Sequence, residues 1–396
     1  MILLAVLVLI LLVSMAGICF AMSKNKTYTS QQESTIEIEP FASRVSRFWS
    51  WFEEHRTELE SVPERGEKNM SELVDKLAEG MQIIGDGVYF NVGNRELTFC
   101  VEENTECYYL YPWLVESMPE SLRETWTVYP CKQPENKTDF DFGMFDKKIS
   151  VSDILVSAEY NDKGNSFDVH FYHPVLSELT EDESVQAFYI ILELIIGEGT
   201  VYNYINEVKP TDKTAGMMPI GDVAEYMKSA IESHGQKYYT EPFLPWCTYQ
   251  GKPVADSNNE REDIISGASC YMDLNREYLD GDRKIYDALA EKGAVALMLI
   301  LNQPEGMETG DFLDLKYAIQ DHVIALLDQS IVKGQLIGSA YGTSGRGYID
   351  LLLYDEPQFL EYISNDEVIG ELLNNCRGIQ LSVKGFTRDS AVRTLR

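Results

Sequence analysis

Positive charge is what this chain has least of. Its 33 lysines and arginines stand against 64 aspartates and glutamates, for a net charge of −31 over 396 residues. No Lys/Arg run gathers the basic residues into a stripe, so the surface is expected to repel nucleic acid and anionic headgroups. CxxC pairs are absent as well. Cys19, Cys100, Cys107, Cys131, Cys247, Cys270 and Cys376 are scattered, with no closely spaced histidine partner. That spacing speaks against a zinc site or a dense disulfide framework. They read as small buried apolar residues, and free thiols favour a reducing compartment. There are only five histidines, none in a Ser/His or Cys/His setting. No G-x-S-x-G elbow occurs, and no lysine follows the glycines of "GSAYGTSGRG" as a Walker A loop requires. No catalytic, cofactor-binding or metal-ligating residue is therefore assigned.

Charge is missing altogether from residues 2–22, "ILLAVLVLILLVSMAGICFAM". A helix of that length spans a hydrocarbon core of roughly 30 Å. No positive n-region precedes the run, so a retained single-pass anchor in the lipid bilayer is expected rather than a cleaved signal peptide. Lys24 and Lys26 follow the run and nothing basic precedes it, which places the folded part on the cytoplasmic side. "NKT" at Asn25 and Asn136 and "NMS" at Asn69 match glycosylation acceptors, which matter only in a secretory lumen.

The remainder is globular: 44% of the residues are hydrophobic and 11% aromatic. Residues 23–40 form a polar linker. A first α+β domain is expected over 41–234 and a second over 235–396, with the break in "HGQKYYTEPFLPW", where periodicity gives way to prolines and aromatics. In the first, Val45, Phe48, Phe52 and Leu59 lie at helical spacing. A helix at 70–84 and a hairpin in "VYFNVGNRELTFCVE" follow. Further expectations are a helix at 108–118, strands at 126–130, 154–160 and 167–172, a helix at 181–196 stopped by Gly197, a strand in "TVYNYINEV", and a helix at 221–233. In the second, "AVALMLILN" is a strand buried on both faces. The helix at 311–329 carries Phe312, Leu315, Ile319, Val323 and Leu326 on one face. Strands at 335–341 and 348–354, a helix at 357–373 and a strand in "RGIQLSVKG" complete the order β-α-β-β-α-β, that of the ferredoxin-like sandwich.

Motifs with chemical associations are weak. "DFDFG", Asp139 to Gly143, contains the kinase triplet without the rest of a kinase. "HFYH" puts His170 and His173 on opposite sides of a strand, unsuited to one metal. Gly197-Glu198-Gly199 and the Ser339 to Gly347 segment are the first places to look for an unrecognised site, although the second joins two strands as a hairpin turn. Trp51 lies off the apolar stripe and is suspected of meeting another domain or partner.

"RFWSWFEEHRTEL" and "GDGVYFNVG" resemble the opening of an uncharacterised group of bacterial proteins. "LMLILNQPEGM" and "GSAYGTSGRGYIDLLLYD" resemble the bacterial domain-of-unknown-function family numbered 695. The resemblance implies a fold and transfers no chemistry. The expected protein is membrane-anchored and binds a protein partner. The alternatives are an enzyme with a site in the interdomain cleft, and a secreted or envelope binding protein.

Overall fold

The computed structural model describes residues 38–396 except 65–69, 94, 103, 136, 163, 255–258 and 377. The expected anchor at 2–22 and the asparagines of all three glycosylation tripeptides lie outside the described residues. Among the described residues no single helix is long and apolar enough to cross a membrane. The architecture is mixed α+β. It divides into two compact units, one of residues 132–242 and one that combines 38–131 with 243–396. This differs from the linear division at 234/235. A segment before the first unit and the segment after it share one set of contacts, and no composition shift along the chain marks that.

The discontinuous unit opens with helices α1 (Phe41–Glu64) and α2 (Met70–Ile84). Val45, Phe48, Trp49, Phe52 and Leu59 are buried at the predicted spacing. Trp51 is used at home: its ring packs over Gly80 of α2 and stacks on His55 at 4.7 Å. Strands β1 (Tyr89–Val92) and β2 (Glu96–Cys100) form the expected hairpin. The helix expected at 108–118 is only α3 (Tyr111–Glu116), after a 3-10 turn. Strand β3 (Thr127–Tyr129) then pairs with β2 in parallel.

In the continuous unit, β4 (Asp141–Met144) and β5 (Lys147–Ser150) form a hairpin, which gives "DFDFG" a plain structural role. A second hairpin joins β6 (Leu155–Asn161) to β7 (Ser166–Tyr172). Helix α4 (Glu181–Ile196) starts with a capping box of Thr180 and Glu183 and stops at Gly197. Its Ala187, Phe188, Ile191 and Leu192 are buried, with Phe188 stacked on Phe171 at 4.0 Å. The strand expected in "TVYNYINEV" is half wrong. Glu198–Tyr204 is a helix, α5, bent 111° from α4, and only Ile205–Pro210 is strand β8, parallel to β7. Burial of Thr200, Val201 and Tyr204 overrides the β-propensity of those residues. Strand β9 (Met218–Pro219) and helix α6 (Val223–Ser233) complete the unit.

Returning to the first unit, β10 (Cys247–Gln250), β11 (Ile264–Ser269), α7 (Met272–Asp280) and α8 (Lys284–Glu291) had no sequence signal. Then come β12 (Val295–Asn302), α9 (Thr309–Asp328), β13 (Gly334–Gly342) and β14 (Arg346–Leu353). The helix expected at 357–373 is two, α10 (Glu356–Asn365) and α11 (Glu367–Asn374), broken where Asp366 caps the second. Strands β15 (Leu381–Gly385) and β16 (Arg393–Thr394) follow. The seven strands are antiparallel in the order β10-β11-β13-β14-β12-β15-β16. Phe312, Ile319 and Val323 of α9 pack with Leu297, Leu299, Ile349, Leu351 and Val383 on one face of this sheet. The N-terminal segment joins the same unit through Phe41 N–H to Gly293 O (2.8 Å), Ala42 N–H to Tyr354 O (2.9 Å) and Lys292 Nζ to Glu106 (2.7 Å).

Candidate functional site

Strand pairing places residues in rows across the sheet, and two rows decide where a site can be. On the α9 face, Thr248 aligns with Ala268, Ser339, Ile349, Leu299 and Val383. Beside them run Gln250, Ser266, Tyr341, Gly347, Leu301 and Leu381. The rows pass from exposed at β10 through half-buried at β13 to buried from β14 onward. The helices thus cover the sheet from β14 to β15 and leave β10, β11 and the near side of β13 as an open shelf. Polar and small residues make its floor.

At the inner corner of the shelf, α9 sets Lys316 against Ser339. Lys316 sits four residues after Phe312 and three before Ile319, so the apolar stripe carries it inward, and it is 1% exposed. Its stem lies on Gly347, where a Cβ would stand 3.2 Å from Cγ and Cδ of the lysine. A side chain there would press on the lysine stem, and glycine leaves it room. The amine contacts Ser339 Oγ and Gln320 Oε1 (3.3 Å), and lies 4.4 Å from the Tyr317 ring centroid. Burial pushes its pKa down to about 8, against an upward pull from Asp350.

Behind the shelf, on the other sheet face, a second polar cluster is sealed. Arg261 is a non-glycine residue at φ +68° and is buried. Its guanidinium binds Asp350 Oδ1 at 2.6 Å, Tyr249 Oη at 3.1 Å and Asn275 Oδ1, and lies 4.6 Å from the Phe386 centroid. Its N–H donates to Tyr348 Oη (3.0 Å), which donates to Asp263 Oδ1 (2.7 Å). Ser344, in the β13–β14 turn, closes the cluster on Asp263 Oδ2. Burial raises Tyr348 far above the phenol range and pushes Tyr249 up to about 12. This cluster holds the turn to the loop at 259–263.

The Ser339 to Gly347 segment is therefore strand as far as Gly342 and then a tight turn, with Gly345 N–H to Gly342 O at 3.2 Å. Gly197-Glu198-Gly199 is a clasp. Glu198 is buried and accepts Lys132 N–H at 2.9 Å, while its own N–H donates to Lys132 O at 3.0 Å. Gly199 faces Thr240 and Pro242. The first and last residues of the 132–242 unit thus meet at this loop. His173 accepts Val175 N–H at Nδ1 (3.2 Å), and burial lowers its pKa. Among the described residues no group of three or more His, Cys, Asp or Glu could hold a metal ion.

A signal for the Lys316 corner existed in the sequence: a lysine on the apolar stripe of a helix. Ser339 had none. Comparison with protein-family models, with curated proteins and with solved structures finds no match.

Proposed function

We propose that this chain is a polypeptide-binding protein, held in a membrane by residues 2–22 with its folded units on the cytoplasmic side, and that the partner adds as a strand to β10. The observation that carries the reading is the edge strand of the seven-stranded sheet, β10, which among the described residues pairs with β11 alone. Gly251 N–H donates to Ile265 O at 2.9 Å. By the alternation of antiparallel pairs, the main-chain groups of Thr248 and Gln250 then point away from β11. The exposed side chains of Trp246, Val254 and Ile265 flank that edge. Main-chain pairing with apolar side chains beside it is the chemistry of strand addition. A net charge of −31 favours an extended segment that is basic as well as apolar. The strand order β13-β14-β12-β15, with helices between β12 and β13 and between β14 and β15, supports a ferredoxin-like sandwich widened by strands at both edges. The resemblance to family 695 adds no role.

The test is selection from a library of extended peptides, followed by Thr248→Pro. Proline deletes an outward N–H without touching the β10–β11 ladder. Selected peptides are expected to bind the parent and a Thr248→Ala control, and to lose at least tenfold in affinity for Thr248→Pro. Equal binding by all three overturns the reading. For the membrane part, a cysteine at Ser30 should react with an impermeant maleimide only after cell lysis, above the background of the unsubstituted protein.

A further inference from the structure

Among the described residues of the discontinuous unit three lysines are buried, and two of them are neutralised. Lys292 meets Glu106 at 2.7 Å and Lys384 meets Glu260 at 2.9 Å. Lys316 faces a hydroxyl and a side-chain amide oxygen instead. An ammonium held against uncharged oxygens in an apolar corner loses its proton more readily than one beside a carboxylate. The pair is also ordered in depth. Lys316 is buried, whereas Ser339 is half-buried and opens onto the shelf. A reagent on the shelf reaches the hydroxyl first, and the amine stands behind it.

We propose that Ser339 and Lys316 are a nucleophile–base pair that accepts an acyl group from an uncharged carboxylic ester lying on the shelf. The neutral amine takes the Ser339 proton as Oγ bonds to the ester carbonyl carbon. The ester C–O bond breaks, the lysine proton passes to the departing alkoxide, and an acyl-serine and an alcohol result. Water, activated in turn by the amine, releases the acid and restores the serine. The depressed basicity of Lys316 suits this work near neutral pH. The shelf argues for the substrate class. Thr248, Ala268, Gln250, Ser266 and Tyr341 are all uncharged in a strongly acidic protein. The inference stands apart from strand addition, since β11 separates β13 from β10.

The experiment treats the protein with a fluorophosphonate ester and maps the adduct by peptide mass spectrometry. The expected adduct is on Ser339, forming faster as pH rises through about 8, and at least tenfold slower in Lys316→Met. The selected peptides should bind Ser339→Ala as tightly as the parent, so the two proposals fail separately. Absence of a Ser339 adduct, or equal labelling of Lys316→Met, overturns the pair. Because Lys316→Met could disturb folding, the unsubstituted protein is also titrated by NMR with 13Cε-labelled lysine. One lysine titrating near pH 8 and lost in Lys316→Arg is expected, and none below the ordinary lysine range overturns the proposal.

Discussion

Arg261 and Asp350 show how much one residue can be asked to hold. Each is 1% exposed at the side chain, and Asp350 Oδ2 has no hydrogen-bond partner among the described residues. Removing one partner leaves a bare charge in the interior, which costs about 3–5 kcal/mol. Asp350→Ala should lose that much stability in urea unfolding. The double variant Arg261→Met, Asp350→Leu should lose less than Asp350→Ala alone, and losses that simply add would contradict the coupling. The sequence showed none of this. "NEREDII" looks like a solvated acidic loop, and Asp350 interrupts "YIDLLLYD" as a lone polar residue in a strand. Partners 89 residues apart in the chain leave no local signal. Lys316 was more legible, because its place on the stripe is a matter of helix period alone.

At the scale of elements, legibility followed hydrophobic patterning. Strands β12 and β14 and helix α9 were readable because their burial repeats every residue or every turn. Strands β10 and β11, "CTYQ" and "IISGAS", form the open shelf and carry little apolar pattern to read. The break between α10 and α11 was hidden because both helices are apolar on the same side. Asp366 makes that break: it accepts Ile369 N–H at 2.8 Å and pairs with His322 Nε2 at 3.0 Å. Burial pushes its carboxyl up, but the Ile369 and His322 hydrogen bonds outweigh this and hold it below the usual range. A folded value below the unfolded one stabilises the protein above the unfolded pKa, about 3.9, and is lost as pH falls through the folded value. Asp366→Ala should therefore cost about 1–2 kcal/mol at pH 7. The gap from the parent should narrow as pH falls below the unfolded pKa in acid unfolding; a gap that stays constant as the pH is lowered would exclude the carboxylate as its source.

For the whole molecule, the clasp at Gly197–Gly199 makes 132–242 a guest with adjoining ends. Expressed alone, residues 132–242 should unfold cooperatively. Residues 38–131 joined to 243–396 by a short glycine linker should keep a cooperative transition, since the N-terminal helices and the seven-stranded sheet share one unit. Loss of that transition in calorimetry would mean the guest is needed for the host. The same arrangement bears on how the chain is made. Glu106 meets its lysine only after 186 further residues have been added. At roughly 5–20 residues per second that is a wait of roughly 10–40 s on the ribosome. During it, Phe41, Tyr109 and Trp113 are synthesised and without Tyr271 and Tyr354, the rings they pack on, while the guest can fold as soon as it emerges. The first third of the chain is therefore the stretch on which a chaperone would act.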